Sequence, residues 1–398
     1  MAHALQSERS RRRVNAYRRA LYHGAPLYHS VAEIIGDVAD DDSVHVIRPN
    51  VIAERARTFV AGSPGEVLFA VKANPHPAVL QTIWEAGVRG FDVASMGEIE
   101  LVHSLFPTAR MCFMHPIKSR QSIRRAYALG VRDYAFDHID ELTKIVEETG
   151  GAKDLGLFLR LSPRSSGAAY ALAGKFGATV MEAQLLMEKA RPLCDRLGLT
   201  FHVGSQCMIP EDYASAIAIA AELISVTGVK VDMLDVGGGY PVTYPGMTPP
   251  PLQDYFDAIE AAVKKEGLTH LSLALEPGRA LVADGGATLA RIEMRRDQML
   301  YLNDGVYGSL FDAGTPRWRF STRLWRDGKL VEGDEEAFGF FGPTCDSIDR
   351  MEGPFMLPAN AQEGDWVEVI GLGAYGLTMT TQFNGFHQGP IVALIDNL

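Results

Sequence analysis

The sequence predicts an α/β protein: a TIM-like (β/α)8 barrel followed by a smaller, mainly β domain. Two observations carry this. Apolar, strand-like runs alternate with amphipathic, helix-like stretches eight times between Val67 and Leu275, and such alternation implies βα units in a parallel sheet. Eight repeats over roughly 210 residues suit a closed barrel, whose usual size is ~250 residues. An open doubly wound sheet would normally show a Gly-rich fingerprint after its first strand, and none stands there.

In chain order, residues 1–43 read as an amino-terminal extension. Its Arg-rich part, Ser7 to Arg19, has the flavour of an organellar transit peptide, but a surface helix or tail is the simpler reading. Val44 to Pro49 predicts a short strand and Val51 to Val60 a helix. The eight runs are Val67–Val71, Gly90–Val93, Arg110–Met114, Val131–Phe136, Leu155–Leu161, Leu199–Val203, Val231–Val236 and Leu271–Leu275. Between them Pro77–Ala86, Gly97–Leu105, Ser119–Leu129, Ile139–Glu148, Val180–Leu197, Asp212–Val226 and Leu252–Lys265 carry apolar residues at helical spacing. Past Leu281 the rhythm changes. Ala287–Tyr301 and Asp365–Ile370 read as strands, and Asp334-Glu335-Glu336 as a solvated loop. The expected division is a barrel over 44–282 and a β domain over 283–398.

Composition narrows the function. With 398 residues, 47% hydrophobic and 22% charged, the chain is long enough for one large and one smaller domain. A net charge of −11 argues against a nucleic-acid or anionic-membrane partner and mildly favours cationic small ligands. The four cysteines, Cys112, Cys194, Cys207 and Cys345, form no C-x-x-C pair, which suggests neither a zinc site nor a redox dithiol. So few fit a reducing cytosol. No apolar run approaches the ~18 residues of a membrane span.

Barrel chemistry is built at the carboxyl ends of the strands, and polar residues gather there. Lys72 ends the first run, Asp92 lies at the end of the second, Arg160 near the end of the fifth and His202 near the end of the sixth. Gly237-Gly238-Gly239 closes the seventh and Glu276-Pro277-Gly278-Arg279 the eighth. Each alone has a mundane reading as a turn glycine, a core histidine or an ion pair. Together they make a chemical set. Consecutive glycines let amide groups approach an anion, Arg279 adds a charge-assisted bond, and Ser205 adds a hydroxyl. Glu276 suits the far, cationic side of a ring, His202 can stack on that ring, and Lys72 supplies an amine. These are the requirements of a pyridoxal 5′-phosphate (PLP) site.

Six stretches in register make the likeness specific: Val71-Lys72-Ala73-Asn74, His202-Val203-Gly204-Ser205, Asp235 to Pro241, Glu276-Pro277-Gly278-Arg279, Asn303 to Gly308, and Gly342-Pro343-Thr344-Cys345-Asp346. From about Val44 onward the chain resembles the group IV, alanine-racemase-fold PLP decarboxylases, and within them the ornithine decarboxylases most. The resemblance implies a PLP barrel, a carboxyl-terminal β domain and a head-to-tail homodimer with two shared active sites. It implies a cytoplasmic enzyme that decarboxylates L-ornithine to putrescine, for polyamine biosynthesis. Lys72 would hold PLP, Glu276 pair with its ring nitrogen and His202 stack on the ring. Ser205, Gly239, Gly278, Arg279 and Tyr375 would bind the phosphate, with Asp92 and Arg160 in support. Cys345, from the partner subunit, would act near Cα, Asp312 and Asp346 would face the distal ammonium, and Phe383 would line the pocket. Lys175 and Asp349 match a pair that crosses the dimer contact.

One stretch departs from the pattern: Tyr307-Gly308-Ser309-Leu310-Phe311-Asp312 is shorter than in ornithine decarboxylases. That leaves lysine as an alternative, since one methylene is worth only ~1–3 kcal/mol of discrimination. Diaminopimelate decarboxylases typically carry Glu where Asp346 stands, and arginine decarboxylases of this fold are generally much longer. A racemase of the same fold would need a second base, and the Cys345 turn argues against it. A non-catalytic regulatory homologue would have lost cofactor contacts that are all present here.

Overall fold

The structure, a computed structural model, describes residues 19–38, 42–163, 166–170, 174–386 and 389–396. Eight parallel strands close into a barrel: Glu66–Ala70, Gly90–Val93, Arg110–Phe113, Asp133–Phe136, Gly156–Arg160, Arg196–Thr200, Met233–Asp235 and Ser272–Leu275. Neighbours in sequence are neighbours in the sheet, and the eighth strand closes on the first through Ala274↔Glu66 and Leu275↔Val67. The strands are buried along most of their length, as a parallel sheet between an outer helical layer and a filled lumen must be.

Leu68, Cys112, Ala135, Phe158, Met233 and Ala274 cluster apart from the helix-facing core and fill that lumen. Gly198 makes room for one of them, because a Cβ there would lie 2.5 Å from Phe158 Cδ1. At the amino-terminal rim, Asp133 accepts from Arg110 Nε at 2.9 Å and from Arg196 Nη2 at 2.8 Å, and Glu66 also pairs with Arg110. This charged plug joins four strands at the end of the barrel that serves stability rather than chemistry.

Several helices start where short polar side chains cap them. Ser95 accepts from Glu98 N–H, Ser119 from Ser122 N–H and Thr179 from Glu182 N–H. Several boundaries differ from expectation. The helix expected over Val180–Leu197 ends at Ala190 and passes into a single 3-10 turn, Arg191–Leu193, because Pro192 has no N–H to continue it. The sixth strand therefore begins at Arg196 and ends at Thr200 instead of spanning Leu199–Val203. The first strand likewise ends at Ala70, and Lys72 stands in the 3-10 turn Val71–Ala73 just beyond it.

The second layer is an eleven-stranded mixed sheet centred on Gly286–Arg296. The single strand expected over Ala287–Tyr301 is a hairpin, Gly286–Arg296 with Met299–Leu302, which turns at Asp297 with φ 53°. Glu335 and Glu336 are exposed, as expected of solvated acids, but they open a strand, Glu335–Phe341, rather than a loop. The sheet also recruits the start of the chain. Ala25–Tyr28 pairs parallel with Ile391–Leu394, and Val44–Ile47 pairs antiparallel with Gly286–Leu289. Residues 21–37, expected to be an extension, thus include two strands and a helix, Val31–Asp37, that belong with the second domain. The Arg-rich stretch before Arg19 lies outside the described residues. Among the described residues no helix is long and apolar enough to cross a membrane.

Candidate active site

A cavity of about 450 Å³ opens at the carboxyl end of the barrel, lined by Lys72, Asp92, Arg160, His202, Ser205, Gly239, Glu276, Gly278, Arg279 and Tyr375. All ten expected cofactor residues face this one space. Parallel strands end in register, so polar residues far apart in sequence meet above them. Tyr375 comes from the β domain, where its N–H donates to Ala73 O at 2.8 Å, tying it to the lysine turn.

Each group has a defined state. Lys72 Nζ donates to Asp92 Oδ2 at 2.9 Å. Burial pulls its pKa down, but Asp92, Tyr375 and Glu276 outweigh that and leave it raised. His202 is pushed down to about 3 by burial, helped by Lys72 and Arg160. Its imidazole is therefore neutral, and Nδ1 accepts from Gly204 N–H at 2.9 Å. Glu276 is raised far above the carboxylate range by burial and then by Asp235 and Asp92. Asp235, fully buried behind it, is raised to about 6 by burial while accepting from Thr200 Oγ1 and Gly237 N–H, both at 2.9 Å. These carboxyls repel one another, and a cation facing Glu276 would relieve them.

The other end suits an anion. Arg279 lies between Trp318 and Tyr375, 4.5 and 4.8 Å from their ring centroids, and its buried Nε has no partner among the described residues. Gly239, with φ 108°, brings backbone where a side chain cannot go, since a Cβ would lie 2.3 Å from Gly204 O. Glu276 Oε1 is the matching unpartnered atom at the cationic end. A flat ligand with an anion at one end and a ring cation at the other satisfies both, so the residues fit PLP.

Cys345, Asp346 and Phe383 form a second group in the β domain, and none of the three lines the lysine cavity within the chain. Tyr307 is its hub. Its hydroxyl donates to Asp346 Oδ2 at 2.5 Å, and its ring packs on Phe383 with centroids 4.7 Å apart. Asp346 is held below its ordinary pKa by that hydrogen bond. Cys345 is exposed, the other three cysteines buried.

Two expected residues are engaged within the chain. Asp312 sits on the short helix Phe311–Gly314 and accepts from Arg279 Nη1 at 2.9 Å. Asp349 does not offer a free carboxylate to a neighbouring subunit. It is buried and accepts from Val306 N–H at 2.7 Å, Thr344 N–H at 3.0 Å and Thr344 Oγ1 at 2.7 Å. Its expected mate, Lys175, lines the lysine cavity. Sequence reasoning missed Asp235 and Tyr307, although both stand in quoted motifs, and Asn384, which its Asn-Gly turn pair could have flagged. Trp318 carried no signal, since only folding brings it to Arg279.

Comparison with known proteins agrees with this geometry. The family described as "Pyridoxal-dependent decarboxylase, pyridoxal binding domain" matches residues 50–283, and its "C-terminal sheet domain" matches residues 284–373. An ornithine decarboxylase of Schizosaccharomyces pombe is 31% identical over 91% of this chain and 86% of its own. Antizyme inhibitor 2 of Xenopus laevis, named as an inhibitor rather than an enzyme, is 30% identical over 90% and 83%. A lysine/ornithine decarboxylase of Vibrio vulnificus, solved with putrescine, superposes with a TM-score of 0.75 at 30% identity, covering 88% of this chain and 94% of its own. With its two matched regions meeting between Ala283 and Asp284, where the barrel gives way to the sheet, the chain belongs to the pyridoxal-dependent decarboxylases.

Proposed function

We propose that the chain decarboxylates L-ornithine to putrescine, as a cytoplasmic homodimer whose active sites are each completed by the second subunit. The observation that carries the choice of a diamino acid is Asp346, an ionised carboxylate held at 2.5 Å by Tyr307 beside Cys345. Such an acid favours a substrate with a distal ammonium over one with a second carboxylate.

When bound, PLP supplies a sink for the electron pair left at Cα as CO₂ departs. The protein's residues do the rest. Lys72 supplies the amine that would carry the cofactor, and Asp92 holds that amine in place at 2.9 Å. Glu276 keeps a proton on the ring nitrogen opposite it by charge. His202, neutral, stacks on the ring without adding charge. Ser205, Gly239, Gly278, Arg279 and Tyr375 would hold the phosphate, with Arg160 in support. Cys345 of one subunit returns a proton to Cα in the other subunit's site. Phe383 and Tyr307 wall the substrate stem, and Asp346 receives the distal ammonium.

Lysine is the second reading, favoured by the engagement of Asp312 with Arg279, which leaves one acid at the distal end. The deciding experiment is CO₂ release from a panel of both ornithine enantiomers, lysine, arginine and meso-diaminopimelate. Highest kcat/KM on L-ornithine is expected. Preference for lysine or diaminopimelate would overturn the substrate, and no release from any member, with PLP bound, would favour a regulatory role.

A further inference from the structure

We propose that Asn384 is a positioning residue for Cys345, aiming its thiol as the donor to Cα. This deepens the reading of Cys345 given above and rests on it. Asn384 Oδ1 accepts from Cys345 N–H at 3.1 Å and from Cys345 Sγ at 3.2 Å. One carbonyl thus fixes both the turn and the S–H direction. Tyr307 holds the two segments together. Its carbonyl accepts from Thr381 N–H at 2.8 Å, its ring packs on Phe383, and its hydroxyl binds Asp346, the residue after Cys345.

Asn384 also has φ 56° and ψ 14°, inside the 3-10 turn Phe383–Gly385. Only glycine adopts this region freely, and asparagine and aspartate are the best tolerated of the rest. A turn needing only that backbone would be served by glycine. Asparagine adds an acceptor that is neutral, so it stabilises S–H without the repulsion a carboxylate would bring to a thiolate. In the reaction the S–H bond breaks, the proton forms a C–H bond at Cα, and the electron pair stays on sulfur until water returns a proton.

The same reasoning supplies the variants. Asn384→Gly keeps the turn and deletes the acceptor, and Asn384→Asp keeps turn and acceptor but adds charge. Alkylation of the holoenzyme by iodoacetamide reports on Cys345, because Cys112, Cys194 and Cys207 are buried. At fixed neutral pH the rate is expected to rise roughly threefold to tenfold in Asn384→Gly, the worth of one hydrogen bond, and to fall below the native rate in Asn384→Asp. Diamine formed per CO₂ released is expected to drop below one in Asn384→Gly and to recover in Asn384→Asp. Native alkylation rates in both variants would overturn the proposal, as would equal acceleration in both, which reports access alone. Altered alkylation with full diamine yield would support the contact to Cys345 and overturn instead the proton-donor role of Cys345.

Discussion

Asp312 shows how one side chain's partner decides its role. Its carboxylate bonds Arg279, and both groups are largely buried, 12% and 7% exposed. Removing one partner of a buried pair leaves an uncompensated charge and costs about 3–5 kcal/mol. Asp312→Asn should therefore destabilise the cofactor-free protein. PLP, whose phosphate would compensate Arg279, should then raise the melting temperature more in the variant than in the native protein. An unchanged rise together with a raised KM for ornithine would return Asp312 to the substrate. Asp235 gives a pH effect of definite sign. Its pKa is 3.8 when unperturbed and about 6 when folded. Between these values the folded chain holds a proton the unfolded chain lacks, so stability falls as pH rises. Asp235→Asn should flatten that fall in the cofactor-free protein, read as melting temperature against pH across this window.

Among the elements, the loop after the third barrel strand shows how a site wall is kept in place. Lys118 has a fully buried side chain whose Nζ donates to His115 O at 2.9 Å and Ala135 O at 2.5 Å, and pairs with Glu141 at 2.9 Å. Burial pushes its pKa down to about 8, against the pull of Glu141. One ammonium thereby bolts a loop whose His115 and Pro116 line the cavity to the next strand and to the helix Ile139–Glu148 that follows it. Lys118→Met should cost about 3 kcal/mol by urea unfolding and weaken PLP binding in the same variant. A loss of stability with unchanged PLP affinity would confine Lys118 to a structural part.

For the whole molecule, the consequential feature is that the expected site residues fall in two separate groups. Lys72 and its neighbours lie in one cavity, while Cys345, Asp346 and Phe383 do not line it. If two chains complete each site, Lys72→Ala and Cys345→Ala protomers, each inactive alone, should regain activity when mixed. Random pairing with half of the chains of each kind gives about a quarter of native activity, because half of the dimers then contain one intact site. Absence of recovery, with mixed dimers demonstrated by mass, would place both halves in one chain.

What the sequence determined by itself was set by local periodicity and by fixed rules of barrel construction. The alternation of apolar runs from Val67 to Leu275 specified eight strands, and the carboxyl-end rule placed Lys72, His202, Gly239 and Glu276 on one face. Local chemistry also held information left unread: Pro192 marks the end of its helix, and Asn384-Gly385 marks a left-handed turn. Other features depended on contacts between distant segments. That Asp312 turns to Arg279, that Asp349 is consumed by its own chain, and that Ala25–Tyr28 and Val44–Ile47 enter the second domain's sheet are decided by which surfaces meet. A carboxylate's partner is chosen by three-dimensional distance and burial. Neither is encoded in spacing along the chain.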